Sequence, residues 1–176
     1  MAKPSTPKGP GSAGGGTPAT VALTKAGVPF AVHQFDNAVA PGEHGYGKAA
    51  ATALGVDEAR VFKTLLVTVH GGGGQVSHAV GVVPVSGQLS LKSMAAALGA
   101  KRVEMLEPSA AERLTGYVVG GISPFGQKKR LTTVVDETAN SHTTVFVSGG
   151  KRGLDLEVAP AHLISTLSAV VAPIAD

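Results

Sequence analysis

Cysteine is absent from the 176-residue chain. That excludes disulfides, thiolate metal ligands and a cysteine nucleophile of the protein's own. Tryptophan is absent too, and aromatics make up only 4%. A core must therefore be built from Val, Leu, Ile and Ala, and base stacking is a minor part of any nucleic-acid contact. No apolar run approaches the ~20 residues that span a bilayer. The N-terminus lacks the apolar segment of a secretory signal. The six histidines are scattered, with neither HExxH spacing nor close pairing, so no metal site is expected. Asp136 and Glu137 are adjacent, which on a strand sends them to opposite faces and suits paired-carboxylate chemistry poorly. Neither the GxSxG elbow nor the GxxxxGK[ST] phosphate loop occurs. The expectation is a soluble, cytoplasmic protein with no metal and no cofactor.

What is present suits one compact domain with a tail. Hydrophobic residues make up 43%, and net charge is +3. Met1–Gly16 (MAKPSTPKGPGSAGGG) has almost nothing to bury, so it reads as a disordered Gly/Pro-rich tail. It carries Lys3 and Lys8 and no acid, which leaves +1 on residues 17–176. Structure is expected from Thr17-Pro18, a good N-cap followed by the residue favoured in a first helical turn. Strands are expected at 30–35, 61–69, 77–85, 131–135, 143–147 and 154–158. The spacings predict helices over 18–26, 48–54 and 91–98, another with a capping box at Ser109 and Glu112, and a closing one through Leu163, Ile164, Leu167 and Val171. The mixture lacks a strict βαβ repeat, which points to an α+β fold with a largely non-parallel, strongly curved sheet.

Three places offer chemistry. In VFKTLLVTV, alternation puts Val61, Lys63, Leu65, Val67 and Val69 on one face. Lys63 in that row is either a snorkelling strand-end lysine or an amine at a pocket mouth, where it binds a phosphate or carboxylate or acts as a base. Gly120-Gly121-Ile122-Ser123-Pro124-Phe125-Gly126 specifies a backbone shape; it is an ordinary tight turn or a loop that aims N–H groups at an anion or a carbonyl oxygen. Ser148-Gly149-Gly150-Lys151-Arg152-Gly153 is a Gly-rich hairpin or a phosphate-contacting loop. Lys101-Arg102, Lys128-Lys129-Arg130 and Lys151-Arg152 together hold seven of the fifteen basic residues, a clustering compatible with a phosphate backbone as partner. The residues by themselves support no narrower function.

VFKTLLV around Lys63, TGYVVGGISPFGQKKRL from Thr115 to Leu131 and VSGGKRGLDLEV from Val147 to Val158 resemble the YbaK family. These are aminoacyl-tRNA deacylases related to the editing domain of bacterial prolyl-tRNA synthetases. The likeness runs in the same order from about Thr17 to Ala172. It implies a mixed, barrel-like sheet flanked by helices, and removal of Cys wrongly attached to proline tRNA. By this resemblance Lys63 holds the substrate's 3′-terminal nucleotide, and Gly121-Ile122-Ser123-Pro124 is the loop whose backbone faces the aminoacyl carbonyl. Gly120, Phe125, Gly126, Gly149, Gly150, Lys151, Arg152 and Asp155 are implied around the pocket. Phe35 stands where relatives often have Tyr, with Tyr46 nearby in sequence.

The chemistry so implied needs no nucleophile from the protein: the thiol of the substrate's Cys attacks its own ester carbonyl, a thiolactone leaves and the tRNA hydroxyl is released. Partners implied are aminoacylated proline tRNA and prolyl-tRNA synthetase. Competing readings are a deacylase for Ala-tRNA(Pro) using water or a tRNA hydroxyl, and a non-catalytic binder of tRNA ends. A Ser–Lys hydrolase using Ser123 and Lys63 is disfavoured, because nothing in a Gly/Pro loop activates that hydroxyl.

Overall fold

The computed structural model describes residues 16–36 and 45–176. The tail expected over Met1–Gly16 lies outside them, save for Gly16. Thr17 caps helix α1 (Pro18–Lys25) by accepting from the Thr20 amide, with Pro18 in the first turn. Ala19, Thr20 and Leu23 turn inward. Strand β1 (Ala31–Gln34) follows, then α2 (Gly45–Leu54), which starts three residues before the expected Lys48. The long strands β2 (Phe62–His70) and β3 (Val76–Pro84) form the expected hairpin in nine-residue register. Ser90 caps α3 (Leu91–Leu98), which ends on Gly99 in the left-handed region.

Strand β4 (Arg102–Met105) was not legible. It is a four-residue edge strand exposed at three positions, so it lacks the apolar alternation by which strands are read. Helix α4 (Pro108–Thr115) starts after Glu107 and not at Ser109. The expected capping box does not form, and the Glu112 carboxylate instead accepts from the Val119 amide at 2.8 Å. Then come β5 (Thr132–Asp136), β6 (Val145–Lys151), β7 (Leu154–Val158) and α5 (Pro160–Leu167). The last helix stops short of Val171, because Ser168 takes the left-handed conformation and closes it. Val170–Ala172 instead forms strand β8, parallel to β5.

Two sheets result, in the orders β1-β7-β6 and β4-β2-β3-β5-β8. All pairings are antiparallel except β3–β5 and β5–β8. The α+β class is as expected, but no closed barrel forms among the described residues. A bridge between Val61 and Phe146 links the sheets.

The alternation holds within β2, while Val61, just before the strand, packs instead in a third cluster with Ala51, Val85 and Phe146. Phe62 and Leu66 enter a core shared with α1, the first sheet and α5. Leu65, Val67 and Val69 enter a second core with Met94 of α3. A sheet buried on both faces explains why the strand reads as a nearly continuous apolar run. Lys63 shares the second face but lies before it closes over. On its far edge β2 pairs with β4 only from Val67 onward. Between Phe62 and Leu65 no strand pairs with that edge among the described residues, and there the molecule opens into a cavity. No helix of the described residues is long and apolar enough to cross a membrane.

Candidate active site

The cavity has a volume of about 1200 Å³ and lies between β2, α2, the loop after α4 and the end of the first sheet. Of the residues singled out in the sequence, Lys63, Phe35, Tyr46, Gly120, Ile122, Arg152 and Asp155 line it, as do Ser148 and Gly153 at the two ends of the second Gly-rich loop. Gly121, Ser123, Pro124, Phe125, Gly126, Gly149, Gly150 and Lys151 do not. Most of these form a packed layer behind the wall, and Lys151 is exposed.

Lys63 is half-buried and makes no ion pair among the described residues. Burial, and then the neighbouring Lys48 charge, hold its ammonium below the usual lysine range. An unpaired, partly desolvated cation on a cavity wall is a receptor for an anion or a carbonyl oxygen. Next to it, Thr64 is only 8% exposed, lines the same cavity, and its hydroxyl has no hydrogen-bond partner. Sequence reading passed over Thr64. The available signal was its place beside the odd lysine on a strand whose neighbours are apolar.

Asp155 projects from β7 into the cavity wall. It is directly opposite Ser148 of β6 and His33 of β1. Burial pushes its carboxyl up to about 7. The fold thus favours the neutral acid. Stability from this group is fully present below the ordinary carboxylate range and is lost as pH rises through about 7. Asp155→Asn should therefore gain roughly 2–3 kcal/mol on wild type between pH 5 and pH 8. Urea denaturation at the two pH values checks this; an equal gap at both would mean a carboxylate ionised throughout.

The glycine-rich loops prove to be close-packing devices. A Cβ at Gly121 would stand 2.8 Å from the Lys151 backbone, and one at Gly126 would stand 2.4 Å from the Pro18 carbonyl oxygen. Gly121 N–H is taken up by Val118 O at 2.8 Å. Phe125 is 1% exposed, and burying a Phe side chain contributes about 1.5–3 kcal/mol. Tyr117 Oη donates to Phe125 O at 2.6 Å, and Thr17 Oγ1 donates to Gly149 O at 2.6 Å. Burial pushes the Tyr117 phenol up to about 12, so it keeps the proton it donates. Three loops and the start of α1 thus lock together as a rigid floor. Gly126 also has φ +66°, so Gly126→Ala should cost at least about 2 kcal/mol. Gly27→Ala has a similar φ but open space around it, and should cost about 1 kcal/mol. Thermal denaturation of the two variants reads the difference.

Ser123 is fully buried, and its Oγ accepts from the Phe125 amide at 3.2 Å. It does not line the cavity, so a Ser123–Lys63 hydrolase has no geometric basis. At the cavity mouth the Arg152 guanidinium lies 4.6 Å from the centre of the Tyr46 ring, and its Nε donates to Val119 O at 2.9 Å. The Tyr46 ring also packs on Gly120. The other basic runs lie elsewhere. Lys128 meets the end of α4, Arg130 reaches Ser168, and Arg102 is opposite His70. Of the three clusters only Arg152 reaches the cavity. No group of three or more side chains suited to a metal ion occurs among the described residues.

Comparison with known proteins agrees with this arrangement. The model of the aminoacyl-tRNA editing domain matches residues 41–166. EbsC of Enterococcus faecalis, named as a candidate Cys-tRNA(Pro)/Cys-tRNA(Cys) deacylase, is 42% identical over 123 residues, 70% of this chain and 73% of its own. A crystal structure described as a candidate trans-editing enzyme for prolyl-tRNA synthetase superposes with a TM-score of 0.65 at 25% identity, over 74% of this chain and 79% of the other. A scaffold used for computational epitope grafting has the same fold, with a TM-score of 0.75 at 24% identity over 90% and 95% of the two chains. The chain belongs to the aminoacyl-tRNA editing domain family, as a tRNA deacylase of the YbaK kind.

Proposed function

We propose that this protein removes Cys from mischarged proline tRNA, acting in trans, and that the nucleophile is the substrate's own thiol. The observation that carries this reading is Lys63, an unpaired, half-buried ammonium on the wall of a cavity large enough for an aminoacylated nucleoside. It binds the 3′-terminal nucleotide. The backbone around Gly120 and Ile122 faces the aminoacyl carbonyl, and Arg152 meets phosphates at the mouth. Phe35 supplies an apolar wall without the hydroxyl seen in many relatives.

The chain contains no Cys, and Ser123 is fully buried, does not line the cavity and accepts from the Phe125 amide. An aminoacyl ester is already activated, so folding the Cys side chain back on its carbonyl brings nucleophile and electrophile together without a nucleophile from the protein. Attack forms the S–C bond and breaks the C–O bond, and the thiol proton ends on the departing ribose oxygen. Positioning of this kind supplies up to ~7–11 kcal/mol in ideal cases. Selection for the proline tRNA body comes in this reading from prolyl-tRNA synthetase, since only one of the basic clusters lies at the cavity.

The test is a deacylation panel with enzyme well below substrate: Cys-, Ala-, Ser- and Pro-tRNA of the proline type, and Cys-tRNA of the cysteine type. Turnover fastest on Cys-tRNA(Pro) is the expected result. Equal or faster turnover of Ala-tRNA(Pro) overturns the thiol reading, and binding without turnover makes the protein a tRNA-end binder.

A further inference from the structure

One buried histidine has no role in the proposed reaction so far. His33 of β1 is 8% exposed and faces the same side of the sheet as Asp155, its direct cross-strand partner. Such partners stand about 4.5–5.5 Å apart at Cβ, within side-chain reach. On the other side, His33 Nε2 lies 2.9 Å from Glu157 Oε1. Glu157 is two residues from Asp155 on β7 and so shares its face. Arg60 Nη2 stands 3.6 Å from the second Glu157 oxygen. Thr144 donates to that same oxygen and accepts from Arg60. The edge of the His33 ring meets Phe146 at 5.2 Å, and Arg60 covers the same Phe ring at 5.1 Å. His33, Glu157, Thr144 and Arg60 are thus joined in one polar network beside an aromatic ring, and strand register sets Asp155 of the cavity wall next to its His33 end. Asp155 is the one buried carboxylate on the cavity wall among the described residues.

We infer that His33 is a positioning residue: anchored by Glu157 and Arg60, it sets the ionisation of Asp155 and connects that carboxylate to solvent. The inference rests on the proposed thiol chemistry only for its use. There, Asp155 takes the thiol proton as sulfur attacks the carbonyl carbon, and returns it to the ribose oxygen as the ester C–O bond breaks. A group doing this must keep its proton affinity matched to its task; burial raises that of Asp155, and a polar cross-strand neighbour gives a second control over it.

Glu157 is suited to the anchor. Burial alone would raise its carboxyl, but hydrogen bonds from Thr144 and His33, then the charges of His33 and Arg60, outweigh that and hold it below the usual range. The other charged groups sharing the cavity with Asp155 are Lys63 of β2, Lys48 of α2, Arg152 of the β6–β7 turn, Asp36 after β1 and Asp176 beyond β8. None of these is its cross-strand neighbour.

The experiment is a carbon-13 titration of side-chain carboxyls in the full chain, with Asp155→Asn used to assign the resonance. It is paired with the pH dependence of single-turnover Cys-tRNA(Pro) deacylation. Expected in His33→Gln is a move of the Asp155 midpoint by at least half a pH unit, about threefold in the proton equilibrium, with the rate profile moving by the same amount. Glu157→Gln removes the anchor from a less buried site and should also move the midpoint, which serves if His33→Gln does not fold. An Asp155 midpoint unchanged in the folded variant overturns the inference. So does a midpoint that moves while the rate profile stays. If wild type does not act on Cys-tRNA(Pro), the functional reading fails and the titration alone decides whether His33 governs Asp155.

Discussion

Lys63→Ala should lose at least ~10²-fold in deacylation rate while keeping its fold. The scale is that of removing one preorganised electrostatic donor from an active site. The fold should survive because the ammonium has no ion-pair partner among the described residues and is held below the usual lysine range by burial. Its folded-state value is lowered, so at neutral pH the native structure disfavours the charge that the unfolded chain carries freely. Removing the group relieves that cost, and Tm should be equal to or slightly above wild type. Lys63→Arg should fail as well. A planar guanidinium is larger and carries its donors in a fixed fork, which a site shaped for a compact ammonium does not accept. Circular dichroism melting alongside single-turnover kinetics separates the two effects. A folded Lys63→Ala protein with near-normal activity would remove Lys63 from the site.

Replacing the substrate's thiol by a methyl group should cost at least ~10²-fold in rate, with the protein unchanged. The scale is set by general-base effects, since what is lost is an activated attack. 2-Aminobutyryl-tRNA(Pro) has nearly the size of the Cys ester, so it should still bind and compete. In the authentic reaction a cysteine thiolactone should appear transiently. Its four-membered ring is strained, so water opens it to free cysteine. Quenched-flow sampling with chromatographic detection of the thiolactone reads this directly. Comparable cleavage of the methyl analogue with no thiolactone would mean that the protein positions a water. The unpartnered Thr64 hydroxyl and the Asp155 carboxyl, both on the cavity wall, would then be the first groups to examine.

Much of this protein is determined locally and so was readable in its sequence. Thr17-Pro18 starts a helix because a hydroxyl cap and a preset φ act within one turn. The β2–β3 hairpin follows from two long apolar runs joined by HGGGGQ, and alternation correctly placed Lys63 among apolar neighbours. The family was legible because GGISPFGQKKR and SGGKRG are long and specific, and their glycines are those on which whole loops pack. Four features were decided only by tertiary contact. Strand β4 is short and exposed, and β8 exists because Ser168 breaks a helix whose apolar pattern continues. The division of the candidate site is also tertiary: Gly120, Ile122, Arg152 and Asp155 reach the cavity while Gly121, Ser123 and Gly149 stand behind it. Residues adjacent in a motif are sent to opposite sides by the way the loops pack on α1 and on one another. The pairing of His33 with Asp155 belongs here too. It depends on the register of strands more than a hundred residues apart, which nothing local to either segment encodes.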